Sequence, residues 1–125
     1  MTVKTIVIVD DEEELRDNLQ DLLEFKGYRV ISFPTGEAVL AEIDSIAVDL
    51  VLLDIQLPGI DGMQVLERLR LTHPTLPIAM VSASSIPSVL EEAKRKGANQ
   101  TILKPYSHTE MLKAIHTLLG ETEGS

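Results

Sequence analysis

The chain has 125 residues, with 11 basic against 20 acidic side chains and a formal charge of −9. That length suits one domain, and a hydrophobic share of 44% is enough to bury a core, which argues against intrinsic disorder. There are no cysteines, so disulfides, thiolate metal sites and thiol catalysis are excluded together. The negative charge opposes binding to nucleic acid or anionic membrane, and 3% aromatics without Trp leave no platform for base stacking. No apolar run approaches the ~18 residues that span a bilayer, and no signal-peptide pattern opens the chain. The expectation is a small, acidic, cytoplasmic domain that contacts neither nucleic acid nor membrane.

Residues 4–9 (KTIVIV) are a β-branched run too continuously apolar for a one-sided strand, so a strand buried on both faces is predicted. It stops at Asp10, Asp11 and three glutamates. Leu15, Leu19, Leu22 and Leu23 then recur at helical spacing up to Gly27, a C′ glycine. Residues 28–33 (YRVISF) alternate as an edge strand does, and Thr35-Gly36 opens a second helix to about Ile43. Residues 49–53 (DLVLL) are a buried strand closing on Asp54. After Pro58-Gly59 the spacing turns helical through Val65, Leu66 and Leu69, which makes Asp61 a helix cap.

His73-Pro74 and Pro77 punctuate before strand four at 78–81 (IAMV). The fourth helix turns Val89, Leu90 and Ala93 inward and Glu91, Glu92, Lys94, Arg95 and Lys96 outward, ending at Gly97. Strand five is 101–103 (TIL), followed by Lys104-Pro105. A last helix buries Met111, Leu112, Ile115, Leu118 and Leu119. Five strands alternating with five helices demand a parallel sheet with right-handed crossovers. The predicted architecture is one doubly wound α/β domain over residues 1–119, with 120–125 (GETEGS) as a polar tail or linker stub.

In open α/β sheets, ligands bind beyond the carboxyl ends of the strands. Those ends carry Asp10-Asp11, Asp54, Ser82 and Lys104, whereas strand two ends in Phe33-Pro34 and offers nothing polar. Three convergent carboxylates repel unless a cation joins them, and hard oxygen ligands without His or Cys suit Mg²⁺ or Mn²⁺. Counting −3 from the acids, +2 from the metal and +1 from Lys104 gives a neutral site suited to a phosphoryl group. One carboxylate can then act as nucleophile, and Asp54, alone between the acidic pair and the Ser82/Lys104 side, is the best candidate. Glu12–Glu14 read as helix N-terminal charges, and His73, His108 and His116 lack metal-ligand spacing. The Lys94-Arg95-Lys96 cluster reads as a solvated helix face.

Taken in order, IVIVDDE at 6–12, LVLLDIQLPGIDG at 50–62, VSAS at 81–84 and LKP at 103–105 resemble the receiver domain of bacterial two-component response regulators, along nearly the whole chain. The resemblance implies a flavodoxin-like (βα)5 fold of strand order 2-1-3-4-5. It implies that Asp54 accepts phosphoryl from the phosphohistidine of a sensor histidine kinase or histidine phosphotransfer protein. By the same carry-over Asp11, Asp54 and the Gln56 backbone carbonyl bind Mg²⁺, Asp10 acts partly through water, Lys104 contacts a phosphoryl oxygen, and Ser82 moves to hydrogen-bond the phosphate. Ser82, Ala83, Ser84, Thr101 and Pro105 make up the switch and tuning positions, with a cis bond expected before Pro105.

Thr101 departs from the pattern, standing where the switch aromatic is usual; the hydroxyl half of the switch at Ser82 is retained. Asn99-Gln100-Thr101 replaces an acidic-acidic-aromatic run, so a dimer through the last two helices is not inferred. Gln56 and Ser84 read equally as phosphate-lifetime tuners or as solvent-facing residues.

The leading reading is a switch that catalyses its own phosphorylation and dephosphorylation rather than a turnover enzyme. Its output is a protein target on the face of helix four, strand five and helix five. The alternatives are a phosphorelay intermediate, a phosphorylation-independent binding domain, and an aspartyl phosphatase. The last usually needs a second acid where this chain has Gln56. Removing one carboxylate, by Asp54→Asn or Asp11→Asn, is expected to relieve repulsion within the cluster.

Overall fold

The uninterrupted apolar runs become the interior strands of a parallel sheet. The computed structural model describes residues 3–121. Its strands are β1 (Thr5–Val9), β2 (Arg29–Phe33), β3 (Leu50–Asp54), β4 (Ile78–Ser82) and β5 (Gln100–Leu103), in the order β2-β1-β3-β4-β5. Every residue of β1, β3 and β4 is buried, whereas the outer strands β2 and β5 carry exposed positions. All pairings are parallel. The crossovers are α1 (Glu13–Phe25), α2 (Gly36–Glu42), α3 (Gly62–Thr72), α4 (Pro87–Arg95) and α5 (His108–Leu119). A 3-10 turn at Ile43–Ser45, which periodicity does not reveal, follows α2.

Successive strand residues point to opposite faces, so one sheet builds two apolar layers. Val7, Val9, Val51 and Leu53 join Val65, Leu66 and Leu69 of α3 on one side. Ile6, Ile8, Leu50 and Leu52 join Leu19 and Leu23 of α1 and Met111 and Ile115 of α5 on the other. Each fully buried leucine or isoleucine contributes about 1.5–3 kcal/mol of transfer free energy. The assignment of Leu112, Leu118 and Leu119 to the core is corrected to partial burial, because they flank the inward stripe of α5.

Helix starts follow their side chains. Asp61 caps α3 through a capping box with Gln64, and Ser107 caps α5 through one with Glu110. Gly27, with φ +96°, ends the first helical segment as its position suggested. The tail differs from a free end at its first two residues. Gly120 closes α5 in a left-handed conformation, and Glu121 accepts a hydrogen bond from the Tyr28 hydroxyl at 2.6 Å. Residues 122–125 of that tail lie outside the described residues.

The strand order reverses direction between β1 and β3. That reversal splays the flanking crossovers apart and opens a crevice beyond the carboxyl ends of these two neighbours. Whatever side chains the two strands carry there are brought together.

Candidate functional site

Register sets the site. Val9 pairs with Leu53, so Asp10 and Asp54 emerge side by side. Ser82 pairs with Leu103, which places Lys104 one residue past the end of β5. Oxygens of Asp10, Asp11 and Asp54 all lie within 4.8 Å of one another. The Lys104 Nζ reaches Asp54 Oδ2 at 2.7 Å and Asp10 Oδ2 at 3.3 Å, with Glu12 Oε1 at 3.7 Å. The sequence-predicted acids and ammonium therefore converge. The side chains of Asp54, Asp10 and Lys104 are only 6%, 10% and 12% exposed, while Asp11 is exposed.

Backbone groups hold the two buried acids. Asp10 Oδ1 accepts from Glu12 N, and Asp54 Oδ1 accepts from Gln56 N, both at 2.9 Å. Each carboxylate thus has one oxygen fixed by the chain two residues on and the other turned to Lys104. Burial pushes the Asp54 carboxyl above its ordinary value, against the pull of Lys104 and the Gln56 N–H. Burial works against the Lys104 charge as well, but Asp54 and Asp10 outweigh it and hold its pKa above the ordinary lysine value. Both values rise, with opposite effect on charge: burial makes Asp54 harder to ionise, whereas the two facing carboxylates keep Lys104 protonated.

The switch residues are placed less uniformly. Ser82 is buried, and its hydroxyl is turned to its own loop: it accepts from Ser84 N at 2.9 Å and donates to Ser84 O at 3.3 Å. Neither of these hydroxyl bonds reaches Asp54 or Lys104, although the Ser82 carbonyl accepts from Lys104 N at 2.8 Å. Thr101 is half-buried opposite Met80. The Lys104–Pro105 bond is cis, as expected. Ala83 and Pro105 line an apolar groove of about 410 Å³ between Leu15, Leu19 and Leu22 of α1 and Tyr106. Burial and the nearby Asp10 charge push the Tyr106 phenol up.

Three contributors escaped the sequence reading. Arg16 Nη1 donates to the Asp10 carbonyl at 2.8 Å, tying α1 to the strand end. Gly62 N donates to Ile55 O at 2.9 Å, and a Cβ there would collide with the Asp54 carbonyl and sit 2.6 Å from Ile55 Cα. The Asp-Gly pair was legible as a helix start, but its packing against the end of β3 at Asp54 was not. Arg70 binds the Gly97 carbonyl through Nε and Nη2 and the Asn99 side chain through Nη2. In sequence it is an ordinary last-turn cation.

All-oxygen donors at one sheet edge fit a hard divalent cation, and the acidic cluster can bind a metal. The chain resembles a CheY-like response regulator receiver domain protein from Methanospirillum hungatei with a TM-score of 0.91 and 31% identity, covering 95% of each chain. It also resembles the NtrX receiver domain of Brucella abortus, with a TM-score of 0.87 and 31% identity over 94% of this chain and 99% of that one.

The family model described as the response regulator receiver domain matches residues 6–116, and the chain belongs to that family. It is 38% identical over 117 residues to the sensory transduction protein RegX3 of Mycobacterium bovis, covering 92% of this chain and 50% of that protein. It is 36% identical over 122 residues to the transcriptional regulatory protein CpxR of Escherichia coli, covering 96% of this chain and 51% of that protein. The chain spans about half the length of these relatives. This is a receiver domain of the two-component class, with the five-stranded order that the motifs implied.

Proposed function

We propose that Asp54 is the phosphoryl acceptor, with a sensor histidine kinase or a histidine phosphotransfer protein as donor. The observation that carries this reading is the convergence of Asp10, Asp11 and Asp54 on one another and on the Lys104 ammonium. Asp10, Asp11 and Asp54, with the Gln56 carbonyl, would hold Mg²⁺, or Mn²⁺ in its place. Bound there, the cation supplies charge neutralisation for a phosphoryl group among carboxylates.

Asp54 attacks phosphorus in line. The Oδ–P bond forms as the P–N bond of the donor phosphohistidine breaks, and the imidazole nitrogen keeps the electron pair and takes up a proton. Lys104, held charged, pairs with a phosphoryl oxygen once Asp54 is esterified. Ser82 leaves Ser84 and donates its hydroxyl to the same group. Hydrolysis by water returns Asp54 to the carboxylate, so the domain resets itself and acts as a switch.

The proposed output surface is α4, β5 and α5, read by a downstream protein rather than by nucleic acid or membrane. Ile86 and Leu103, which are 57% and 46% exposed, support it, because both lie at the α4–β5 end nearest the switch loop. Thr101 leaves the Ser82 hydroxyl to carry the signal without an aromatic partner. Among the described residues no helix is long and apolar enough to cross a membrane, and a cytoplasmic setting suits the proposed donors.

The test is incubation with Mg²⁺ and acetyl phosphate, read by intact mass. Wild type gains one phosphoryl group and Asp54→Asn gains none. Equal behaviour of the two would remove Asp54 from this role.

A further inference from the structure

The three carboxylates of the acidic cluster are held very differently. Asp10 and Asp54 each have one oxygen on a backbone N–H and the other on Lys104. Asp11 is exposed, and among the described residues no hydrogen bond or ion pair holds its carboxylate. An oxygen of Asp11 nevertheless lies within 4.8 Å of an oxygen of each of the other two. With nothing gripping the side chain, the backbone must aim it.

That backbone runs between elements. The last register pair of β1 with β3 is at Val9 and α1 begins at Glu13, so residues 10–12 belong to neither element. Glu12, the N-cap of α1, makes no side-chain capping bond. The Asp10 N–H donates to the Phe33 carbonyl at 3.1 Å, which fixes the entrance to the turn. The rest of the turn hangs on Arg16. Its Nη1 donates to the Asp10 carbonyl at 2.8 Å, and its backbone N–H donates to the Glu12 carbonyl at 2.9 Å. One residue thus grips the carbonyls of both neighbours of Asp11.

The guanidinium has closer charges in sequence than the one carbonyl it bonds. Glu12, Glu13, Glu14 and Asp17 flank Arg16, yet among the described residues it enters no ion pair. It is half-buried and directs its charge to a neutral backbone oxygen. A charge-assisted donor holds its acceptor more tightly than an amide does.

We propose that Arg16 is a positioning residue for the divalent cation: its side chain fixes the Asp10–Asp11 peptide and thereby aims the Asp11 carboxylate at the cluster. The proposal rests on the reading of Asp10, Asp11 and Asp54 as Mg²⁺ ligands. Mg²⁺ demands near-octahedral geometry at short distances, so a carboxylate free to wander loses affinity. Side chains that orient metal ligands typically govern about 10–100-fold in affinity. The Arg16 side chain bonds neither Asp54 nor Lys104, so phosphoryl chemistry is untouched once the cation is bound.

The test is calorimetric titration of the full chain with Mg²⁺ for wild type, Arg16→Met and Arg16→Lys. Methionine keeps the helix propensity and much of the apolar stem without a donor. Arg16→Met is expected to weaken Mg²⁺ binding about tenfold. Arg16→Lys, which keeps a charged N–H donor, recovers most of that loss. The ratio between Arg16→Met and wild type persists in about 1 M KCl, where exposed charges are screened within a few ångströms. In chelator, the Asp10 carbonyl carbon resonance shifts in Arg16→Met and stays near its wild-type position in Arg16→Lys. With acetyl phosphate, Arg16→Met takes up phosphoryl slowly at low Mg²⁺ and at the wild-type rate at saturating Mg²⁺. A general weakening of the fold does not produce that split.

Equal Mg²⁺ affinity in wild type and Arg16→Met overturns the positioning role and leaves the metal reading intact. A deficit that vanishes in high salt overturns it as well, since Arg16 then acts through its charge alone. So does an uptake rate that stays low at saturating Mg²⁺. A wild type that binds no Mg²⁺ removes the metal reading, and this proposal with it.

Discussion

Lys104 is the residue on which the electrostatics of the site turn. It lies between two nearly buried carboxylates and compensates both, so its loss leaves like charges in low dielectric. Lys104→Met is expected to lower stability without divalent ions by about 3 kcal/mol, measured by urea unfolding. The Mg²⁺-induced gain should exceed that of wild type, since the cation then supplies the missing charge; an equal gain would show that Lys104 does not compensate the cluster. The same geometry revises the relief expected from removing carboxylates. Asp54 Oδ2 is the closest partner of Lys104, so Asp54→Asn trades repulsion for a lost ion pair. Relief belongs to Asp11, the exposed member without such a pair. Asp11→Asn is expected to raise the melting temperature slightly in chelator and to lose about 1 kcal/mol or more of the Mg²⁺ stabilisation; an unchanged response to Mg²⁺ would remove Asp11 from the ligand set.

At the scale of elements, the helices are held with very different firmness, and position on the sheet explains it. Helix α3 packs three large apolar residues over the central strands, and its first residue presses on the end of β3. Gly62→Ala would drive a Cβ against the Asp54 carbonyl and the Ile55 backbone, which cannot rotate away. A loss of about 3 kcal/mol or more is expected, the upper range for overpacking, read as a fall in urea midpoint with unchanged slope. The displaced strand end should also slow phosphoryl uptake; normal uptake with normal stability would mean that the loop has room to yield. Helix α4 lacks comparable burial. Periodicity placed Val89, Leu90 and Ala93 inward, yet Ala93 alone is fully buried, because α4 overlies the edge of the sheet beside β5. A helix at the sheet edge has less of the sheet beneath it to cover, and no local pattern records where the edge lies.

The whole molecule should behave as a cation-linked folding unit, since the carboxylates meet only in the folded state. Mg²⁺ at a hundredfold excess over its dissociation constant is expected to add about 2.7 kcal/mol, with the melting temperature rising accordingly. The two tyrosines offer a second global readout. Burial and the Glu121 carboxylate push Tyr28 up, and burial and the Asp10 charge push Tyr106 up. Both folded values exceed the ordinary 10.0, so the fold favours the neutral phenols. This contribution to stability is fully present below pH 10.0 and is lost as pH rises through the folded values. Tyrosinate absorbance should therefore appear at higher pH in the folded protein than in urea, and coincident titrations would show that neither phenol is shielded.

Sequence by itself determined the alternation of elements, the strand order through its motifs, and the identity of Asp10, Asp11, Asp54, Ser82 and Lys104 as the polar strand ends. It could do so because burial on both faces imposes continuous apolar runs, and any charge ending such a run stands out. Tertiary structure alone decided that Lys104 bridges Asp10 and Asp54, that Ser82 is turned to Ser84, and that Arg70 pins the turn at Gly97. These contacts join residues on different strands and helices, so their energies depend on register and crossover geometry, and no local spacing carries that information. The −9 charge follows the same division: composition gives its size, and the meeting of three carboxylates at one sheet edge gives it chemical meaning.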